Sequence, residues 1–200
     1  MQIKLKAPSK PPVKPKNKNK RAREYLTQNE IEKLRKAARK SGRHGHRDDT
    51  LILLMFRHAL RVGELTTLRW EQLDLKKGIM HVYRLKNGLP STHPLSSLEL
   101  NALKQLRKSQ LDNALYVFMS ERGTLLSTRT VHDIIARAGE KAGFAFSIHP
   151  HMLRHSTGFY LANHGYDTKT IQNYLGHANI MHTAKYTEFL PNQFKNFWKD

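Results

Sequence analysis

The sequence contains no cysteine, which excludes disulfide bonds, a thiol nucleophile and cysteine-bound zinc. No apolar run approaches the roughly 20 residues that a transmembrane helix requires. Acidic residues are also scarce: 16 Asp and Glu stand against 35 Lys and Arg, and the formal net charge is +19. So basic a chain is expected to bind nucleic acid, because phosphate neutralisation drives that affinity. An anionic membrane is the alternative partner, but no signal peptide or lipidation motif is visible, and we expect no membrane association.

The first 23 residues differ from the rest of the chain in composition. They hold nine basic residues, four prolines and no acid, which predicts a disordered basic arm that follows DNA phosphates. A solubilising tail is the alternative. We predict an arm at 1–23, a folded domain at 24–190, and a C-terminal helix or tail at 191–200 that packs on its own domain or docks on a neighbouring subunit. The candidate DNA-binding residues of the arm are Lys14, Lys16, Lys18, Lys20, Arg21 and Arg23.

Hydrophobic periodicity predicts a mainly α-helical domain with one small antiparallel β-sheet. The capping box formed by Thr27 and Glu30 indicates the start of the first helix. The triplet Lys86-Asn87-Gly88 predicts a hairpin turn between two strands. We predict helices at about 27–39, 48–60, 64–69, 96–108, 128–142, 151–164, 168–175, 180–188 and 191–198, and strands at about 79–85, 92–95 and 116–118.

A set of polar residues spread along the domain suits cleavage of a phosphodiester without a metal ion. Arginine binds non-bridging phosphate oxygens in a bidentate manner and stays protonated near neutral pH. A tyrosine nucleophile conserves the bond as a phosphotyrosine, and a lysine or histidine can protonate the leaving 5′-oxygen. The residues that fit these roles are Arg61, Lys86, His151, Arg154, His177 and Tyr186.

The order and spacing of these residues resemble the active site of the tyrosine recombinase (phage integrase) family. Successive separations of 3, 23 and 9 residues from His151 to Tyr186 are those of the family. The matching local segments are Ala59-Leu60-Arg61-Val62-Gly63-Glu64-Leu65, Pro150-His151-Met152-Leu153-Arg154-His155 and Tyr174-Leu175-Gly176-His177. Two further segments, Tyr83-Arg84-Leu85-Lys86-Asn87-Gly88 and Thr92-His93-Pro94-Leu95, resemble the small recombinases of fimbrial phase variation, which invert a promoter-bearing DNA segment.

The resemblance implies the catalytic-domain fold of this family and a role for each residue at the phosphate. Tyr186 would attack the scissile phosphate and become linked to the 3′ end of the DNA. Arg61, Arg154 and His177 would stabilise the pentavalent phosphate. Strand exchange would then pass through a Holliday junction.

The resemblance also implies proton-transfer roles, partners and a location. Lys86 would be the general acid for the 5′-hydroxyl, His151 would assist proton transfer at the tyrosine, and Glu64 would orient a neighbouring cation. No cofactor is implied. The implied partners are double-stranded DNA with inverted-repeat sites, three further copies of the chain in a tetramer, and accessory DNA-bending proteins. Most family members carry an N-terminal core-binding domain, where this sequence shows only the basic arm and a first helix. Partner subunits or the DNA-bending proteins would supply the DNA contacts of that domain. The implied location is the bacterial cytoplasm, at the nucleoid.

Two alternative functions remain open at this point. A type IB topoisomerase would use similar active-site residues, and a non-catalytic DNA-binding regulator could share the fold. The spacing of His151 and His155 is that of a zinc-binding helix, but Met152 occupies the position of the usual glutamate. His44 and His46 could bind zinc adventitiously, and we expect no functional metal.

Overall fold

The computed structural model of the chain describes residues 23–85 and 88–188. Lys86, the arm residues before Arg23 and the predicted last helix lie outside this part. The described helices are α1 (Gln28–Arg39), α2 (Gly45–Arg57), α3 (Val62–Thr66), α4 (Ser97–Lys108), α5 (Thr128–Lys141), α6 (Pro150–Asn163), α7 (Thr168–Leu175) and α8 (Met181–Thr187), with a 3-10 turn at Trp70–Gln72.

The strands form one antiparallel sheet in the order β1 (Leu73–Asp74), β2 (Ile79–Val82) and β3 (Ser91–Pro94). Met80 of β2 faces His93 of β3. The predicted fold class is therefore confirmed: helices dominate the described residues, and the sheet is small and antiparallel. The strand predicted at 116–118 is reduced to an isolated bridge between Tyr116 and Arg69.

Helix α2 forms the centre of the core. Its residues 51–55 are apolar and fully buried, which is the pattern of a helix covered on all sides. Helices α1, α4 and α6 pack around it. The predicted capping box starts α1, since the backbone N–H of Thr27 donates to Glu30 Oε2 at 2.8 Å. None of the described helices combines the length and apolarity needed to cross a membrane.

Three elements, α2, α3 and β2, each end three residues earlier than predicted, and the ends of α2 and β2 shape the candidate site. Helix α2 stops at Arg57 rather than Leu60 because Ala59 takes a left-handed conformation with φ of 51°. Strand β2 stops at Val82 rather than 85, and Arg84, two residues beyond its end, has a fully buried side chain. The carbonyl groups of His58 and Ala59, which would pair within a longer helix, accept hydrogen bonds from Arg84 instead.

Candidate active site

Arg154 lies in the second turn of α6, with only 2% of the residue exposed. Its guanidinium donates to the Ala59 carbonyl and, at 2.6 Å, to the Leu175 carbonyl at the end of α7. Burial, as the largest cause, and the nearby cations Arg61 and Arg84 together lower the pKa of Arg154 to about 9. The side chain is thus fixed in position before any phosphate arrives.

Arg61 precedes α3 and is oriented by Glu64. The Arg61 backbone N–H donates to Glu64 Oε2 at 3.0 Å, and its Nη1 donates to Oε1 at 2.6 Å. Hydrogen bonds and the charges of Arg84 and Arg61 hold the pKa of the Glu64 carboxyl below its ordinary value, although burial opposes them as the largest single influence. A buried carboxylate therefore fixes Arg61, which forms a cluster of cations with Arg154.

Arg84 also belongs to this cluster, although the sequence interpretation gave it no role. Its side chain is fully buried and donates to Glu64 Oε2 at 3.0 Å and to the Tyr174 carbonyl at 2.7 Å. Gly176 permits this burial, because a Cβ there would lie 2.6 Å from Arg84 Cγ. The alternation of β2 contained the signal: Met80 and Val82 point inward, so Arg84 continues the inward face.

His177 follows Gly176, whose left-handed conformation ends α7. Its Nδ1 lies 2.9 Å from Thr183 Oγ1 in α8. Burial, as the largest cause, and the charges of Arg154 and Arg61 together lower the pKa of His177 to about 3. The imidazole is therefore neutral near pH 7, and it lies within electrostatic range of both arginines.

Tyr186 is carried by α8 and is docked against α6, with 2% of the residue exposed. Its ring lies against Gly158 and packs edge-on against Phe159, with ring centroids 5.1 Å apart. Burial raises the pKa of Tyr186, whereas the charge of Arg154 lowers it. The predicted nucleophile and the predicted phosphate clamp thus lie together in one domain.

The hydrogen-bond partner of Tyr186 is His155, a residue that the sequence interpretation weighed only as a metal ligand. The Tyr186 hydroxyl lies 2.8 Å from His155 Nδ1. Lys185 Nζ lies 3.2 Å from the same nitrogen. His151 is exposed one turn earlier on α6, and its ring meets that of His155 edge-on with centroids 4.7 Å apart. The proximity of His155 to the cluster could have been inferred from its position next to Arg154.

The other predicted site residues are placed as follows. Lys86 lies outside the described residues, but the N–H of its neighbour Leu85 donates to Glu64 Oε1 at 3.1 Å. Arg23 forms a bidentate pair with Glu30, at 2.7 and 2.8 Å. The remaining arm cations lie outside the described residues. The catalytic and DNA-binding roles of all these residues stay predictions.

The histidines weighed as an adventitious zinc site, His44 and His46, have protein partners. His44 Nε2 lies 2.7 Å from Glu121 Oε1, whereas His46 Nε2 lies 2.9 Å from the Ala102 carbonyl. Over residues 23–85 and 88–188, no three histidine or acidic residues are grouped as metal ligands.

Sequence comparison places the chain among DNA recombinases. Residues 24–193 match the phage integrase family. The type 1 fimbriae regulatory protein FimB of Escherichia coli strain K12 is 45% identical over 180 residues, which cover 88% of this chain and 90% of FimB. The tyrosine recombinase XerA of Pyrococcus horikoshii is 32% identical over 188 residues, which cover 92% of this chain and 61% of XerA.

Comparison with solved structures also finds recombinases. The crystal structure of a XerA recombinase superimposes with a TM-score of 0.73 at 28% identity, covering 86% of this chain and 63% of that one. The XerH recombinase bound to its difH substrate before cleavage gives a TM-score of 0.71 at 21% identity, over 88% of this chain and 53% of that one. The chain therefore spans between half and two thirds of these recombinases.

Proposed function

The chain belongs to the phage integrase family, and we propose that it is a tyrosine-type site-specific DNA recombinase with Tyr186 as its nucleophile. One observation carries this proposal. The docked Tyr186 hydroxyl reaches His155 at 2.8 Å, and Arg154, the residue before His155 on α6, is buried with its guanidinium fixed. A nucleophile beside a preorganised cation cluster is the arrangement that phosphoryl transfer requires.

The cluster supplies positive charge where the transition state carries negative charge. We propose that Arg61 and Arg154 bind the non-bridging oxygens and that neutral His177 donates a hydrogen bond to one of them. Tyr186 then forms a bond from Oη to phosphorus, while the bond from phosphorus to the 5′-oxygen breaks. The departing oxygen takes a proton from Lys86. His151, in ring contact with His155, assists proton movement at the tyrosine.

The proposed substrate is double-stranded DNA with inverted-repeat sites. The XerH structure contains its difH DNA, and the FimB and FimE relatives are named as regulators of type 1 fimbriae. We propose that this enzyme inverts a promoter segment for fimbrial phase variation, acting as a tetramer on bacterial DNA with the help of DNA-bending proteins. The C-terminal residues 191–200 would dock on a neighbouring subunit.

The nucleophile is tested by covalent trapping on a nicked suicide substrate that carries the inverted repeats of a fimbrial switch. Wild-type protein should give a DNA-linked band on a denaturing gel, and Tyr186→Phe should give none. Tyr166→Phe is the matched control, because Tyr166 is exposed on the surface and should keep wild-type cleavage. A band from Tyr186→Phe would reject the assignment.

An assay on supercoiled plasmids distinguishes recombination from topoisomerase activity and from DNA binding without catalysis. A plasmid with two inverted sites should yield the inverted product, detected by restriction mapping. A site-free plasmid should remain supercoiled, whereas a topoisomerase would relax it. A non-catalytic regulator would bind the sites and change neither plasmid.

The basic arm is tested through the salt dependence of DNA binding. Removing residues 1–22 deletes eight basic residues and keeps Arg23, which pairs with Glu30 at the start of α1. Each lost phosphate contact should flatten the slope of log affinity against log salt by about 0.9. An unchanged slope would favour the solubilising tail.

A further inference from the structure

We propose that His155 is a catalytic residue that accepts the proton of Tyr186 as this tyrosine attacks the scissile phosphate. The inference rests on the proposed function, because it assigns a role at the nucleophile named there. It starts from the contact of 2.8 Å between Tyr186 Oη and His155 Nδ1 inside the domain. His155 thus touches the reacting atom directly.

The neighbours of His155 define which ring nitrogen can accept a proton. Both the Tyr186 hydroxyl and Lys185 Nζ approach Nδ1, at 2.8 and 3.2 Å. A lysine ammonium has three donors and no acceptor. Nδ1 must therefore carry the lone pair, and the ring proton resides on Nε2. In this tautomer the Tyr186 hydroxyl donates to Nδ1, which is the direction that deprotonation requires.

The environment keeps both groups neutral until DNA arrives. Burial raises the pKa of Tyr186. Burial, as the largest cause, and the charges of Lys185, His151, Arg154 and His149 together lower the pKa of His155 to about 3. A scissile phosphate bound at Arg154 would offset these positive charges and strengthen His155 as a base. The site thus couples base strength to substrate binding.

The proposed step balances as follows. The Tyr186 hydroxyl proton moves to His155 Nδ1 while Oη bonds to phosphorus. The bond to the 5′-oxygen breaks, and this oxygen takes a proton from the general acid, proposed above as Lys86. On religation the incoming 5′-hydroxyl returns a proton to that acid, and His155 returns its proton to Tyr186. Lys185 orients the imidazole, and exposed His151 is placed to exchange protons with solvent next to it.

The test is His155→Asn, since Asn Oδ1 can accept the Tyr186 hydrogen bond near the position of Nδ1 but cannot take the proton. The substrate is the suicide DNA with sulfur in place of the bridging 5′-oxygen, because a thiolate leaves without a general acid. We expect cleavage to slow by about 100-fold or more, with DNA affinity unchanged. His164→Asn, an exposed histidine at the end of the same helix, is the control and should cleave at the wild-type rate.

A second readout separates proton transfer from positioning. Difluorotyrosine at position 186 has a more acidic phenol and depends less on a base. It should restore much of the rate of His155→Asn if the histidine accepts the proton, whereas a purely positional role would leave the loss unrescued and overturn the proposal. Wild-type cleavage by His155→Asn would also overturn it. Absence of covalent product from the wild-type enzyme, by contrast, would reject the proposed function and this inference together.

Discussion

Replacing Gly158 with alanine should slow DNA cleavage without removing any group that takes part in the chemistry. Gly158 lies in the interior of α6 directly beneath the docked tyrosine. A Cβ at this position would lie 2.6 Å from Cε2 and from Cζ of Tyr186. Carbon atoms pack at about 3.5–4.0 Å, so the phenol ring must retreat by about 1 Å.

The size of the effect follows from opposing contributions. Gly→Ala within a helix is favourable by about 1 kcal/mol, whereas overpacking costs about 1–3 kcal/mol. Stability should therefore fall by no more than about 2 kcal/mol. Burial of an aromatic side chain contributes about 1.5–3 kcal/mol, so the strain is comparable with the energy that keeps Tyr186 docked. Since a misplacement of 1 Å can cost about 100-fold in rate, we expect cleavage to slow by about 10- to 100-fold.

The assay is the single-turnover rate of covalent complex formation on the suicide substrate, combined with urea unfolding. Gly139→Ala is the matched control, because Gly139 lies within α5 and a Cβ there would meet Ile148 Cγ1 at 2.7 Å. The Gly139→Ala substitution overpacks the core to a similar extent but away from Tyr186. This variant should therefore lose a similar amount of stability and keep the wild-type rate of cleavage. If Gly158→Ala cleaved at the wild-type rate, Tyr186 would attack from a position other than the docked one, and the reasoning would fail.

Three further predictions concern the buried polar groups. Glu64→Gln should lower the free energy of unfolding by about 3 kcal/mol, because it leaves the buried charge of Arg84 unpaired. The pKa of Glu64 is lowered in the fold, so the loss of unfolding free energy relative to wild type should be complete above pH 4.5 and shrink as the pH falls below it. A loss that does not change with pH would contradict this prediction. Arg84→Lys should slow cleavage and keep DNA affinity, because an ammonium cannot replace the guanidinium bonds to Glu64 and Tyr174; wild-type cleavage would exclude a positioning role. Burial lowers the pKa of His93 from 6.5 to about 3. Between these two pH values the histidine is therefore protonated in the unfolded chain and neutral in the folded chain. Wild-type stability should therefore fall between pH 6.5 and 3, by up to about 1.4 kcal/mol per pH unit from this group, and His93→Phe should flatten that slope in urea midpoints.

The sequence predicted most of the fold because its signals were local. The capping box at Thr27, the apolar run of α2 and the spacing of the later helices each specify an element within a few residues. The ends of α2 and β2 were not predictable in this way. Ala59 adopts a conformation that normally favours glycine, and Arg84, just beyond the end of β2, has a fully buried charged side chain. Both depend on contacts with distant residues, and tertiary contacts of this kind override local propensity.

The candidate site likewise combines residues that local motifs predict with contacts that only the fold creates. Motif order predicted Arg61, Arg154 and Tyr186 as site residues, and the fold places Arg61 and Tyr186 within electrostatic range of Arg154. The contact between His155 and Tyr186 was not predicted, because it depends on where α8 places Tyr186, which the sequence does not encode locally. Recognition of family motifs finds the residues shared with relatives, whereas the hydrogen-bond partners that set their protonation require the structure.

The carbonyl of Ala59 explains how two buried arginines are held close together. It accepts hydrogen bonds from both Arg84 and Arg154, and the last carbonyls of α7 accept from the same two side chains. A non-glycine residue in the left-handed region costs about 1–3 kcal/mol, and the guanidinium bonds offset this cost. The carbonyl oxygens carry only partial negative charge, and Glu64 neutralises one cation of the cluster. An excess of positive charge therefore remains in fixed geometry, where the proposed mechanism places the phosphate. Because the protein has already ordered these cations during folding, the proposed transition state would require little reorganisation of the site.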